Sequence, residues 1–143
     1  GAIGTMAVQL AKAKGADVTG VCGTSNLEMV KSLGADKVID YKKKDAVNDL
    51  ENYDFILDAV GEIKSSELKE KCKKLLNQNG KYTSVDTGSP KVLRKHLIKL
   101  KALIEAGKVK AIIDRTYPLE QMVEAHKYVD LGHKKGNVLI TMT

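Results

Sequence analysis

The sequence predicts an α/β fold, a doubly wound parallel sheet with helical crossovers that lacks the strand which should open it. Three observations carry this. Helix and strand patterns alternate as α-β-α-β-α-β-α-β over residues 1–85. The stretches KGADVTGV and LGADKVID echo one another, each a helix end, a Gly-Ala-Asp turn and a strand. FILDAV is an apolar run broken only by Asp58, the pattern of a strand covered on both faces.

The elements follow in order. Ile3, Ala7, Leu10 and Ala11 share one helical face, and Gly15 is a natural stop, so a helix is expected over Ala2–Lys14. DVTGVC (Asp17–Cys22) reads as a strand. Ser25 or Asn26 can cap a second helix that closes near Leu33 and Gly34. KVID (Lys37–Asp40) is a strand, Asp45–Leu50 a brief helix, and FILDAV (Phe55–Val60) the next strand. A charged helix over Ser65–Leu76 carries Glu67→Lys71 and Glu70→Lys74 in the favourable i,i+4 order. Asn79-Gly80 makes a turn into KYTSV (Lys81–Val85). Beyond Thr87-Gly88-Ser89-Pro90 an amphipathic helix spans Lys91–Ala106, with Leu93, Leu97, Leu100 and Ile104 at helical spacing. Val109–Ile113 reads as a short strand. Pro118 introduces a helix to about Leu131, and VLITM (Val138–Met142) is a final strand.

At 143 residues, 43% apolar and 29% charged, the chain has the size and balance of one globular domain. No apolar run approaches the roughly 18 residues that span a bilayer, and no signal pattern opens the chain. Cys22 and Cys72 stand alone without a CxxC, which points to a reduced, cytoplasmic setting. The net charge of +6 comes from lysines spread over helix surfaces, with five Tyr and one Phe and no stacking platform among them. That describes a solvated basic face and argues against nucleic acid as a partner. His96, His126 and His133 show no metal-ligand spacing, so no metal site is expected. No Ser-His-Asp set, HExxH or Walker lysine is present, and no catalytic residue stands out.

Chemistry gathers at the ends of the expected strands. Gly1-x-x-Gly4 opening a helix lets a pyrophosphate approach free N–H groups at the positive end of the helix dipole, though a bare helix start has the same pattern. Where an NAD site carries Asp or Glu, the second strand here runs into Cys22-Gly23-Thr24-Ser25-Asn26. With no carboxylate there, Thr24, Ser25 and Asn26 can donate to a 2′-phosphate, or Ser25 and Asn26 simply cap the helix. Tyr41, ahead of Lys42-Lys43-Lys44, can pack beside adenine or donate to the phosphate, or be an edge tyrosine beside a solvated lysine run. Asp58 reads as structural, and Val60-Gly61 lies at the carboxyl edge where a ligand would be met.

With these residues in place, the chain resembles the coenzyme-binding half of the medium-chain dehydrogenase/reductase superfamily, the zinc-type alcohol dehydrogenases, and most of all their zinc-free, quinone oxidoreductase-like branch. The stretches that carry the resemblance are GAIGTMAVQLAKAKGADVTGVC, SLGADKVIDY, YDFILDAVG, GKYTSVD and ALIEAGKVKAIIDRTYPLEQMVEAHKYVDLGHKKGNVLI. The resemblance implies a Rossmann-like domain over residues 1–109 and, over 110–143, a strand-helix-strand segment that packs on a catalytic domain. It implies NADP(H)-dependent hydride transfer to quinones, enones or related carbonyl compounds, with NADP(H) favoured over NAD(H) and no zinc in this chain. Gly1, Ala2, Ile3 and Gly4 match the pyrophosphate loop; Thr24, Ser25 and Asn26 match the segment around the 2′-phosphate; Tyr41 matches a tyrosine used there. Val60 and Gly61 match the loop near the nicotinamide.

The chain departs from that pattern in three places. Ser25-Asn26 stands where relatives usually carry Lys or Arg. The first Rossmann strand and the GroES-like catalytic domain are absent. SPKVLRKHLIKLK bridges a segment that is longer in the family. Loss of a central strand would bare backbone edges, so self-association or homo-oligomerisation is expected, as is weak or no turnover of the chain alone. A non-catalytic nucleotide-binding or interaction module is the alternative; a methyltransferase-type fold is disfavoured by the tail motifs.

Overall fold

The computed structural model describes residues 1–61 and 67–142. Helix α1 (Ala2–Ala13) leads through β1 (Thr19–Cys22), α2 (Leu27–Ser32) and β2 (Lys37–Asp40) to β3 (Tyr53–Asp58). Then come α3 (Glu67–Lys74), β4 (Leu76–Ser84), α4 (Arg94–Glu105), β5 (Ile113–Pro118), α5 (Met122–Asp130) and β6 (Asn137–Thr141). Short 3-10 turns occupy Thr24–Asn26, Ala46–Asp49 and Leu119–Gln121. Helices α1 and α2 both close on a left-handed glycine, Gly15 at φ 82° and Gly34 at φ 101°.

The strands pair in parallel: β1 with β2, β3 with β4, and β5 with β6. The architecture is therefore α/β with parallel strands, realised as three two-stranded sheets rather than one. Strand β1 hydrogen-bonds only to β2, and β3 only to β4, so among the described residues each keeps an unpaired edge. The β1–β2 pair places Cys22 opposite Asp40, which brings their carboxyl ends, and the loops beyond them, side by side.

Several expectations need correction. Neither Ser25 nor Asn26 caps α2 through its side chain; Thr24–Asn26 winds into the 3-10 turn instead. FILDAV is not covered on both faces: Phe55 is 58% exposed, Leu57 is exposed too, and the strand covers Tyr53–Asp58, because β4 is its one partner. The charged helix stops at Lys74, and Leu76 already pairs with Tyr53; the Ser65 start lies outside the described residues. The Asn79-Gly80 turn is a bulge inside β4, since the register jumps from Tyr53–Leu76 to Phe55–Lys81. Asn77 anchors it by donating to Asp54 at 2.7 Å. Glu67 pairs with Lys71 as expected, but Glu70 takes Lys73 instead of Lys74. The strand expected over Val109–Ile113 begins only at Ile113.

Val30, Leu33, Ala35, Ile39 and Ala46 form the core under α2 and β2, while Val109 and Ala125 are buried in the C-terminal half. Elsewhere apolar side chains are open. Helix α4 has no buried residue, and Leu97, Ile98 and Ile104 on it are exposed.

Candidate cofactor site

Two groups of candidate residues meet at the carboxyl ends of the strands. The first is the start of α1 with the turn after β3. Gly1 is the N-cap of α1, and among the described residues no side chain caps that end. Thr5, buried, donates its hydroxyl back to the Gly1 and Ala2 carbonyls. A Cβ at Gly4 would stand 3.8 Å from that of Ala59, so α1 begins against the β3 turn. Ile3 is half exposed beside it.

Asp58 builds that turn. Its Oδ1 accepts from the Val60 N–H at 3.0 Å and the Gly61 N–H at 3.2 Å, and its Oδ2 from the Tyr82 hydroxyl at 2.9 Å. Lys69 forms an ion pair with the same Oδ2. Burial opposes its ionisation, but the Lys69, Val60, Tyr82 and Gly61 bonds outweigh burial and bring its pKa down to about 2. Gly61 sits at φ 92°, and a Cβ there would meet the Asp86 carboxylate at 2.5 Å, so only glycine fits. Both N–H groups of Val60-Gly61 are thus spent inward. What the turn presents outward is the Val60 side chain, 67% exposed.

The second group lies at the ends of β1 and β2. Thr24 Oγ1 donates to Asp40 Oδ2 at 2.6 Å, and the Lys42 N–H donates to Asp40 Oδ1 at 3.0 Å. These bonds hold the Asp40 carboxyl below its usual range, Thr24 first and Lys42 next, with Lys43 and Lys42 charge adding to them. Asp40 is buried, so both its oxygens face the protein. Thr24 has one hydroxyl proton and gives it to Asp40, whereas Ser25 stays exposed with no such bond. A Cβ at Gly23 would lie 3.2 Å from the Tyr41 hydroxyl and 3.5 Å from Lys42 Cε, so both side chains fold over the loop after β1. Asn26 Oδ1 is buried without a hydrogen-bond partner.

Beside Asp40, at the end of β1, burial and the Asp40 charge push the Cys22 thiol up. A cleft of about 290 Å³ opens behind Tyr41, lined by Lys42, Lys43, Lys44, Ala46, Val47, Glu67 and Leu68. Asp40, Lys69 and Tyr82 carry no local mark of their roles in the sequence, because their partners lie 16, 11 and 24 residues away. His96, His126 and His133 are exposed, and among the described residues no three His, Cys, Asp or Glu side chains gather to hold a metal. No described helix is long and apolar enough to cross a membrane.

Residues 2–108 match the zinc-binding dehydrogenase family, and a second family model of the same description matches residues 87–140. The chain belongs to the zinc-binding dehydrogenase family. It is 34% identical to the chloroplast envelope quinone oxidoreductase homolog of Arabidopsis thaliana, covering 98% of this chain and 49% of that protein. It is 32% identical to the chloroplastic NADPH-dependent alkenal/one oxidoreductase of the same plant, over 98% of this chain and 38% of that one. The chain thus spans less than half the length of these relatives. The matched stretches run over 167 and 156 positions against a chain of 143 residues, so the relatives carry residues inside the match that this chain lacks. The quinone oxidoreductase from Coxiella burnetii superposes with a TM-score of 0.76 at 22% identity, covering 99% of this chain and 50% of that one; it shares the fold.

Proposed function

We propose that the chain is the coenzyme-binding portion of an NADP(H)-dependent oxidoreductase that passes hydride to quinones, enones or related carbonyl compounds. The observation that carries this is the glycine-opened start of α1 set against the turn after β3, together with a loop after β1 that holds no carboxylate. The amides of Gly1–Gly4, with Ala2 and Ile3 between them, take the pyrophosphate. The Ser25 and Tyr41 hydroxyls and the Lys42 ammonium surround the 2′-phosphate, while Thr24 braces the loop through Asp40. The Asn26 side-chain NH2 donates beside them. Val60 lies against the nicotinamide, and Gly61 lets its turn pass close to Asp86. When bound, the nicotinamide supplies the hydride, and this chain's part is to hold and orient it.

The substrate side belongs to the rest of the enzyme or to a partner copy. Cys22 and Cys72 are unpaired, which suits a reducing compartment, the cytoplasm or an organelle stroma. A non-catalytic nucleotide-binding module is the second reading, favoured by the full engagement of the Asp58 carboxylate, which is taken up by Lys69, Val60, Tyr82 and Gly61. Measuring NADPH binding and NADPH-dependent quinone reduction on one sample separates them. Binding with turnover supports the reductase, binding without turnover the module, and no binding contradicts both.

A further inference from the structure

Lys69 on α3 grips the turn after β3 at both ends. Its ammonium pairs with Asp58 Oδ2 and donates to the Gly61 carbonyl at 2.9 Å. Both side chains are largely buried, Lys69 at 12% and Asp58 at 9% exposure. A flexible lysine stem placed there gives up rotamer freedom, and that loss is repaid only by the bonds it makes. Those bonds bracket three residues, Ala59, Val60 and Gly61. Across the turn, the Asp86 carboxylate stands against Gly61 and the start of α1 stands against Ala59. The turn is therefore fixed from the α3 side by Lys69 and bounded on the other side by Gly4 and Asp86. Without the ammonium, the Gly61 carbonyl loses this donor and Asp58 loses its counter-ion, while the two N–H bonds to Asp58 persist.

We propose that Lys69 is a positioning residue for the nicotinamide half of the dinucleotide: it sets the Ala59–Gly61 turn against the start of α1, so that Val60 meets the ring. This rests on the NADP(H) reading above. The adenosine half is assigned to other residues, Ser25, Asn26, Tyr41 and Lys42, so the two halves of the ligand report separately.

The test titrates the full chain and its Lys69→Met variant with NADPH and with adenosine 2′,5′-bisphosphate, which has the adenosine half alone. Lys69→Met is expected to weaken NADPH by about tenfold and the bisphosphate by less than about twofold. Equal loss of both ligands would show that Lys69 supports only folding and overturn the inference, as would unchanged NADPH affinity. If the unaltered chain binds the bisphosphate as tightly as NADPH, the inference fails while the nucleotide reading stands. If it binds neither, both fail.

Discussion

Gln9 holds Lys110 by both ends of its amide: Nε2 donates to the Lys110 carbonyl at 3.0 Å, and Oε1 accepts from the Lys110 N–H at 2.9 Å. One buried side chain thereby does for residue 110 what a neighbouring strand would do. The same Nε2 also donates to the Thr5 carbonyl at 3.1 Å, and Val109 beside Lys110 is fully buried. Gln9→Leu keeps the bulk but leaves both Lys110 groups without these partners. It should lower unfolding free energy by about 2 kcal/mol in urea titration, with an unchanged denaturant slope.

Asp58 makes stability fall in acid. Its pKa is depressed to about 2 in the folded chain against 3.8 in the unfolded one, so the unfolded state takes up the proton first as pH falls. The stabilisation is complete above about pH 4 and is lost as pH drops toward 2. It amounts to about 2 kcal/mol. Asp58→Asn should remove it at neutral pH and flatten the melting temperature against pH between 4 and 2, read by circular dichroism.

Thr24 and Ser25 should separate cleanly. Thr24→Val breaks the 2.6 Å bond to Asp40 and should cost about 1 kcal/mol of stability, with NADPH affinity changed less than about twofold. Ser25→Ala should leave stability unchanged and weaken NADPH by about fivefold, with NADH unaffected. Chemical denaturation and calorimetric titration of both variants check this.

The open edges of β1 and β3, with Phe55 and Leu57 exposed on β3, should drive self-association. Sedimentation velocity should show a weight-average mass that rises with concentration. Phe55→Lys should shift the distribution toward the monomer. A concentration-independent monomer for the unaltered chain would contradict this.

Element order was legible because amphipathic period and glycine stops are local signals. What failed was non-local. VKAII reads as a strand, yet Val109 and Lys110 are satisfied by burial and by Gln9, a residue 101 positions away, so pairing starts only at Ile113. FILDAV reads as covered on both faces, but burial depends on which strands flank it, and among the described residues β4 alone does. At the site, glycines and the missing acid after β1 were visible in the sequence. The commitment of the Thr24 hydroxyl to Asp40 was not, nor was the grip of Lys69 on Asp58 and Gly61, because each joins elements brought together only by folding.

Calorimetric titration of the chain with NADPH and NADH tests the central claim most directly. One site per chain is expected, with NADPH bound about tenfold tighter than NADH and the difference largely lost in Lys42→Gln. NADH binding as tight as NADPH, or no heat with either, would contradict it.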